Sequence, residues 1–401
     1  MCHVADRYSG ATSDVQICWA FPFDSLVETI FPGYVFFMTT PGTLIHHEEI
    51  STQLTGAKAW KVRYRSSDVN GRPHEVTGLV IAPEKVDGDR PVMTWAHGTT
   101  GIGDASCPSA QPDPVREIIT YFEPESTQQI DYGVPGLQSF IDEGWVVCAT
   151  DYQGLGTPGI HQYTVGITQA RDTINIVHAA RSMNVGAGTT VGCMGWSEGG
   201  GTAAAIAELT DEDYGDLNLI GTVGMSPGVS KVGLQIGGAL FAALKDPSIP
   251  PDGHLIQVLM GTQAANPDTL SLSDVMTPLG IHIGETAWNH LPVHHLSDVY
   301  ARMYRLKGPI LNYPPKNWDA WTSAVNAGSA GQKKPVCPVL VCIDLLDGGT
   351  VVPDTWQTAY IKLARSLGGT VESHEYPHDD HFSLPASCVH YARDWLTRLL
   401  P

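Results

Sequence analysis

The stretch TTVGCMGWSEGGGTAAAIAEL, residues 189–209, decides how this chain is read. Its first part, Thr189 to Met194, is a short apolar run with β-branched members, and the part from Gly199 onward is Ala-rich and suited to a helix. A strand must therefore become a helix within Gly195-Trp196-Ser197-Glu198-Gly199. A bend that sharp leaves room only for small neighbours, which Gly195, Gly199, Gly200 and Gly201 provide, and it lifts the Ser197 hydroxyl off the strand end at a helix N-terminus. That is the placement a nucleophilic serine needs. The five-residue pattern is weak by itself, because Gly224-Met225-Ser226-Pro227-Gly228 also matches and also follows a strand. The residue after the nucleophile must donate its N–H to the developing oxyanion, and Pro227 has none. Ser197 is therefore the nucleophile, and Glu198 supplies one oxyanion N–H.

Working outward, similar apolar runs recur at 57–66, 74–83, 91–97, 144–151, 219–226, 338–344 and 370–377. With residues 189–196 they predict eight strands. From 91–97 onward, amphipathic stretches such as GITQARDTINIVHAARSM (166–183) separate them, so βαβ units and a mostly parallel sheet with helices on both faces follow. The first two runs, joined across Asn70-Gly71, predict a hairpin at one sheet edge. This is the layout of the α/β-hydrolase fold. Residues 41–229 and 335–401 make its core, and residues 1–40 form an N-terminal extension. After the sixth predicted strand, residues 230–334 hold several apolar helical segments broken by Pro/Gly turns and read as a mainly helical cap or lid over the strand ends. Its aromatic residues Trp288, Tyr304 and Trp318 are candidates for contact with an apolar substrate group.

A serine hydroxyl needs a histidine to take its proton and a carboxylate to fix that histidine's tautomer, in the chain order Ser, acid, His. After the seventh predicted strand stand Asp344 and Asp347, and after the eighth stand His378 and His381. Asp347, past the strand in a Gly-rich turn, is the better acid. His381, just before the final helix, is chosen over His378. A second oxyanion N–H belongs to the loop after the third predicted strand, His97-Gly98-Thr99, with Thr99 the donor and Gly98 the alternative. No metal or other cofactor is called for, since His378-Asp379-Asp380-His381 has no accompanying ligand cluster.

Composition narrows the partners. The net charge is −19, from 42 acidic and 23 basic residues, which repels nucleic acid rather than gripping it. No apolar run is long enough to span a bilayer, and the N-terminus MCHVADRYSG lacks a secretory signal, so a cytoplasmic chain is expected. Of eight cysteines, Cys148, Cys193 and Cys342 sit in strand-like runs as free thiols, and only Cys107 lies in a loop where a disulfide partner is plausible.

Several segments together resemble the secretory lipase, or lipase A-like, family of α/β-hydrolases. They are PGTLIHHEE (41–49), KVRYRSSDVNGRPHEVTGLVIAP (61–83), WAHGTTG (95–101), Cys107 to Ser109, ATDYQGLGTPGIHQY (149–163), GWSEGGGTA (195–203) and Asp347 to Pro353. The resemblance implies a lid in the long insertion, a triad of Ser197, Asp347 and His381, acyl esters as substrates, and a route to secretion. A small or medium apolar ester is the expected substrate, with an acyltransferase of the same fold or a non-catalytic binding protein as the alternatives. The oligomeric state is not readable.

Overall fold

The computed structural model describes residues 40–346 and 351–401, so the N-terminal extension and Asp347 lie outside the described residues. The strands are β1 (Leu44–Ile50), β2 (Ala57–Ser67), β3 (Pro73–Pro83), β4 (Arg90–Ala96), β5 (Val146–Thr150), β6 (Ala187–Trp196), β7 (Asn218–Met225), β8 (Val339–Asp344) and β9 (Val371–Tyr376). They form one sheet in the order β1-β2-β3-β5-β4-β6-β7-β8-β9. Strands β4 to β9 run parallel to one another, whereas the β1–β2, β2–β3 and β3–β5 pairs are antiparallel. The fold is that of the α/β-hydrolases.

The sheet has nine strands rather than the eight expected, and the insertion therefore follows the seventh. The additional strand is β1, Leu-Ile-His-His-Glu-Glu-Ile, which pairs outside the hairpin, so β2 is not at the edge. Its middle residues are exposed on both faces, and it shows neither the alternation nor the apolar run by which a strand announces itself. The β2–β3 hairpin itself closes as the Asn-Gly signal predicts. Gly71, at φ +76, donates to the Asp68 carbonyl, and the Asp68 carboxylate accepts from the Asn70 and Arg72 N–H groups.

The helices are α1 (Leu137–Asp142), α2 (Gly166–Arg181), α3 (Glu198–Ile206), α4 (Asp211–Tyr214), α5 (Ser230–Ile236), α6 (Gly253–Ala265), α7 (Leu272–Val275), α8 (Pro278–Ala287), α9 (Val293–Lys307), α10 (Trp318–Gly328), α11 (Asp354–Ser366) and α12 (Leu384–Thr397). Helices α2, α3 and α11 cover one face of the sheet, and α1 and α12 cover the other. Successive strand residues divide between the two layers: Val92, Val146 and Val339 lie with the first, Met93, Val147 and Leu340 with the second. Burial on both faces is why these parallel strands read as continuous apolar runs. The inserted helices α5 to α10 join the first layer, and sheet and insertion belong to one compact unit, Thr40–Pro401. Cys107, Cys148, Cys193, Cys337, Cys342 and Cys388 are free and buried, so the loop residue Cys107 packs as a thiol and not as half of a disulfide.

Candidate active site

Strand β6 ends at Trp196 and α3 starts at Glu198, leaving one residue to make the corner. Ser197 makes it with φ +58 and ψ −116, a conformation L-residues rarely adopt and one that the surrounding packing must hold. Glycine is required on either side for steric reasons. A Cβ on Gly195 would lie 2.0 Å from the Gly199 carbonyl oxygen, and one on Gly199 would lie 1.9 Å from that of Ala96. The corner is tied to β7 by the Ser197 N–H, which donates to the Met225 carbonyl at 2.9 Å, and by the Gly228 N–H, which donates to the Ser197 carbonyl at 2.8 Å.

The Ser197 Oγ lies 2.9 Å from Nε2 of His381, which comes from the loop between β9 and α12. Both side chains are buried, and His381 is held from behind by Trp196, whose indole N–H donates to the His381 carbonyl at 2.8 Å. His378 stays exposed three residues earlier. On the far side of the imidazole, Nδ1 lies 2.9 Å from the Oγ of Ser226. That serine, set aside as a nucleophile, is fully buried at φ +46. Gln357 of α11 joins the arrangement, its amide donating to Ser226 Oγ at 3.1 Å and to the Asp344 carboxylate at 2.8 Å. An Nδ1–H directed at Ser226 leaves the Nε2 lone pair facing the Ser197 hydroxyl, the tautomer that a general base requires.

The loop after β4 passes close to this pair. A Cβ on Gly98 would meet the Trp196 ring at 2.6 Å, so only glycine lets the backbone turn there. Thr99 is buried, and its hydroxyl lies 2.8 Å from that of Tyr163. His97 lies with Nδ1 2.6 Å from the Gly98 carbonyl and Nε2 3.2 Å from the Asp151 carbonyl, and burial holds its pKa below the usual range. It is part of the loop's framework.

A cavity of about 240 Å³ opens beside Ser197, lined by Tyr163, Leu240, Phe241, Val258, Val352 and Trp356 among others. None of Trp288, Tyr304 and Trp318 lines it. All three pack against the core, and the Tyr304 hydroxyl donates to the Pro247 carbonyl at 2.7 Å. Sequence reading passed over the aromatic residues that do reach the cavity. Tyr163 lies in the loop that follows β5, Trp356 sits in a helix of the core, and Phe241 lies in the short 3-10 helix Ala239–Leu244, whose three-residue period differs from that of the α-helix.

Residues 122–249 match the secretory lipase family. The match spans the elbow and the start of the insertion. Among solved structures, the chain is similar to a ligand-bound form of the rice cell wall degrading esterase LipA from Xanthomonas oryzae, with 17% identity, TM-score 0.67, and 90% of this chain and 99% of that one covered. It is also similar to lipase A from Candida antarctica in its closed state, with 15% identity, TM-score 0.63, and 90% and 84% covered. A hydrolase described as putative from Legionella pneumophila aligns at 15% identity and TM-score 0.63, over 89% and 98% of the two chains. No curated protein matches. The family match and the shared fold together support a carboxylic ester hydrolase. Among the described residues, no helix is long and apolar enough to cross a membrane.

Proposed function

We propose that this chain hydrolyses small or medium carboxylic esters through an acyl-enzyme on Ser197, with His381 as general base and then general acid. The observation that carries the reading is the 2.9 Å approach of Ser197 Oγ to His381 Nε2 at the end of a strand-to-helix corner. As Oγ attacks the carbonyl carbon, its proton passes to Nε2, and the C–O π pair moves onto the oxygen. The N–H groups of Glu198 and Thr99, or Gly98 in place of Thr99, receive that oxyanion. Collapse breaks the bond to the alcohol, which leaves with the proton from Nε2, and water then repeats the steps to release the acid. Asp347 is the proposed acid behind His381, with Asp344, two residues past Cys342 on β8, as its rival. Residues 230–334 act as the lid, since Leu240, Phe241 and Val258 of the cavity wall come from them.

The apolar side chains Leu240, Val258 and Val352 in the cavity lining suit the apolar part of such an ester. Intact-mass measurement after treatment with a fluorophosphonate tests the chemistry: one adduct is expected on the wild type and none on Ser197→Ala. An unlabelled wild type, or a variant labelled as fast as the wild type, overturns the assignment.

A further inference from the structure

Glu198 is called on for its backbone N–H, yet its side chain enters a buried polar cluster that the hydrolytic steps leave unexplained. Its Oε1 lies 2.9 Å from Nε2 of His161, in the loop between β5 and α2, and both side chains are 1% exposed. The same Oε1 accepts from the Gln169 amide of α2, whose own Oε1 takes the Thr202 hydroxyl at 3.0 Å. The other imidazole nitrogen of His161, Nδ1, lies 2.9 Å from the Gln153 carbonyl. A carbonyl oxygen only accepts, so Nδ1 carries a hydrogen. Nε2 and a carboxyl oxygen 2.9 Å apart then need a second proton between them, since two lone pairs at that distance repel. The pair holds that proton either as imidazolium with carboxylate or as imidazole with carboxyl. Its net charge is zero in both forms.

The titratable side chains around the pair do not take over this task. Burial holds His97 below its usual range against the pull of Glu198, and so keeps it neutral. Tyr152 stacks on the His161 ring at 5.4 Å and Tyr163 meets it edge-on at 6.2 Å; burial first and the charge of Glu198 second push both phenols well up, so they stay neutral too. The next acids outward have donors of their own: Asp151 the N–H and hydroxyl of Ser109, Asp172 His74 and the Gln153 N–H, and Asp252 His254. We infer that His161 is a positioning residue for ester cleavage, which keeps the Glu198 side chain fixed and neutralised while the N–H of the same residue receives the oxyanion. The inference rests on the ester-hydrolase reading above. A bare carboxylate on Glu198 would set a second negative charge within a residue's length of the developing one, in surroundings closed to water, where like charges repel most strongly. The ester itself is neutral before attack, so the cost falls on the transition state rather than on binding.

The test uses the full chain and steady-state hydrolysis of 4-nitrophenyl butyrate between about pH 6 and pH 9. His161→Leu removes the proton donor and keeps an apolar filling. Its kcat is expected to fall by about 10- to 100-fold with KM within about threefold of wild type. The wild-type-to-variant ratio, in which the titration of His381 cancels, is expected to widen as the pH rises and the lone carboxylate gives up its proton. Glu198→Gln added to His161→Leu takes the charge away and is expected to win back about fivefold or more in kcat, whereas two packing defects would only compound. His161→Gln, which keeps a neutral donor, replaces His161→Leu if thermal melting shows the latter unfolded, and the same widening and the same rescue are expected of it. A ratio that stays flat with pH, or a double variant no faster than the single one, overturns this inference alone when Ser197 still takes the fluorophosphonate. Failure of wild-type Ser197 to label overturns the hydrolase reading and this one with it.

Discussion

Two corners of the same five-residue pattern, one closing β6 and one closing β7, sit side by side and do different things. Both serines hold positive φ, +58 at Ser197 and +46 at Ser226, and both are buried. They contact the same imidazole from opposite sides, Ser197 at Nε2 and Ser226 at Nδ1, each at 2.9 Å. What separates them is the residue that follows. Glu198 opens a helix and has a free N–H to aim at an oxyanion, whereas Pro227 has none and the next helix, α5, waits until Ser230. The pattern thus specifies a tight backbone corner, and the chemistry is assigned by which imidazole nitrogen and which N–H the corner faces.

That contrast can be broken in graded steps. Ser197→Ala removes the attacking oxygen, and kcat is expected to fall by about 10⁴- to 10⁶-fold in a steady-state ester assay. Ser226→Ala takes away one acceptor beside the His381 Nδ1 and leaves the proposed acid behind the imidazole in place. A loss of about 5- to 100-fold in kcat with little change in KM is expected, equivalent to ~1–3 kcal/mol for a buried partner lost. Because that acceptor favours the imidazolium, its removal lowers the histidine pKa, and the acid limb of the kcat profile should move to lower pH; an unmoved limb would leave Ser226 a purely structural role. Gln357→Leu acts one bond further away. Few-fold loss of kcat is expected, with a lower thermal midpoint, because the Asp344 carboxylate and Ser226 each lose a donor. The smallest effect belongs to Pro227→Ala, which restores an N–H to the second corner. Activity should stay within about threefold, and the double variant Ser197→Ala with Pro227→Ala should remain free of any fluorophosphonate adduct. An adduct on Ser226 would show that the missing N–H was all that kept it inert.

The sequence was legible where one period or one small residue admits a single reading. The parallel strands, the hairpin at Asn70-Gly71 and the corner at Ser197 are of this kind, since double-sided burial, turn chemistry and steric exclusion each leave a local mark. Selection of His381 over His378 needed only position, the one preceding α12 and the other still beside the strand end. Legibility failed where the deciding fact is a direction in space. Trp288, Tyr304 and Trp318 have the composition of a substrate wall, yet they turn toward the core, while Trp356 reaches the cavity from a core helix that nothing local distinguishes. Ser226 was set aside as a nucleophile because of the proline after it, but its place at Nδ1 depends on the register of β7 beside β6, a pairing that no single segment encodes. Asp347 lies outside the described residues, so its part in the triad stays a proposal.

The strand that the sequence concealed has a use that follows from what concealed it. Among the described residues the outermost strands are β1, with His46, His47, Glu48 and Glu49, and β9, with Glu372, His374 and Glu375, and both turn polar and charged side chains outward on either face. An open sheet invites a second molecule to add its own strand, and a border of repeated acids makes that addition costly for an identical copy. The same residues that withhold a β-pattern from the reader therefore guard the sheet against growing edge to edge when the protein is concentrated.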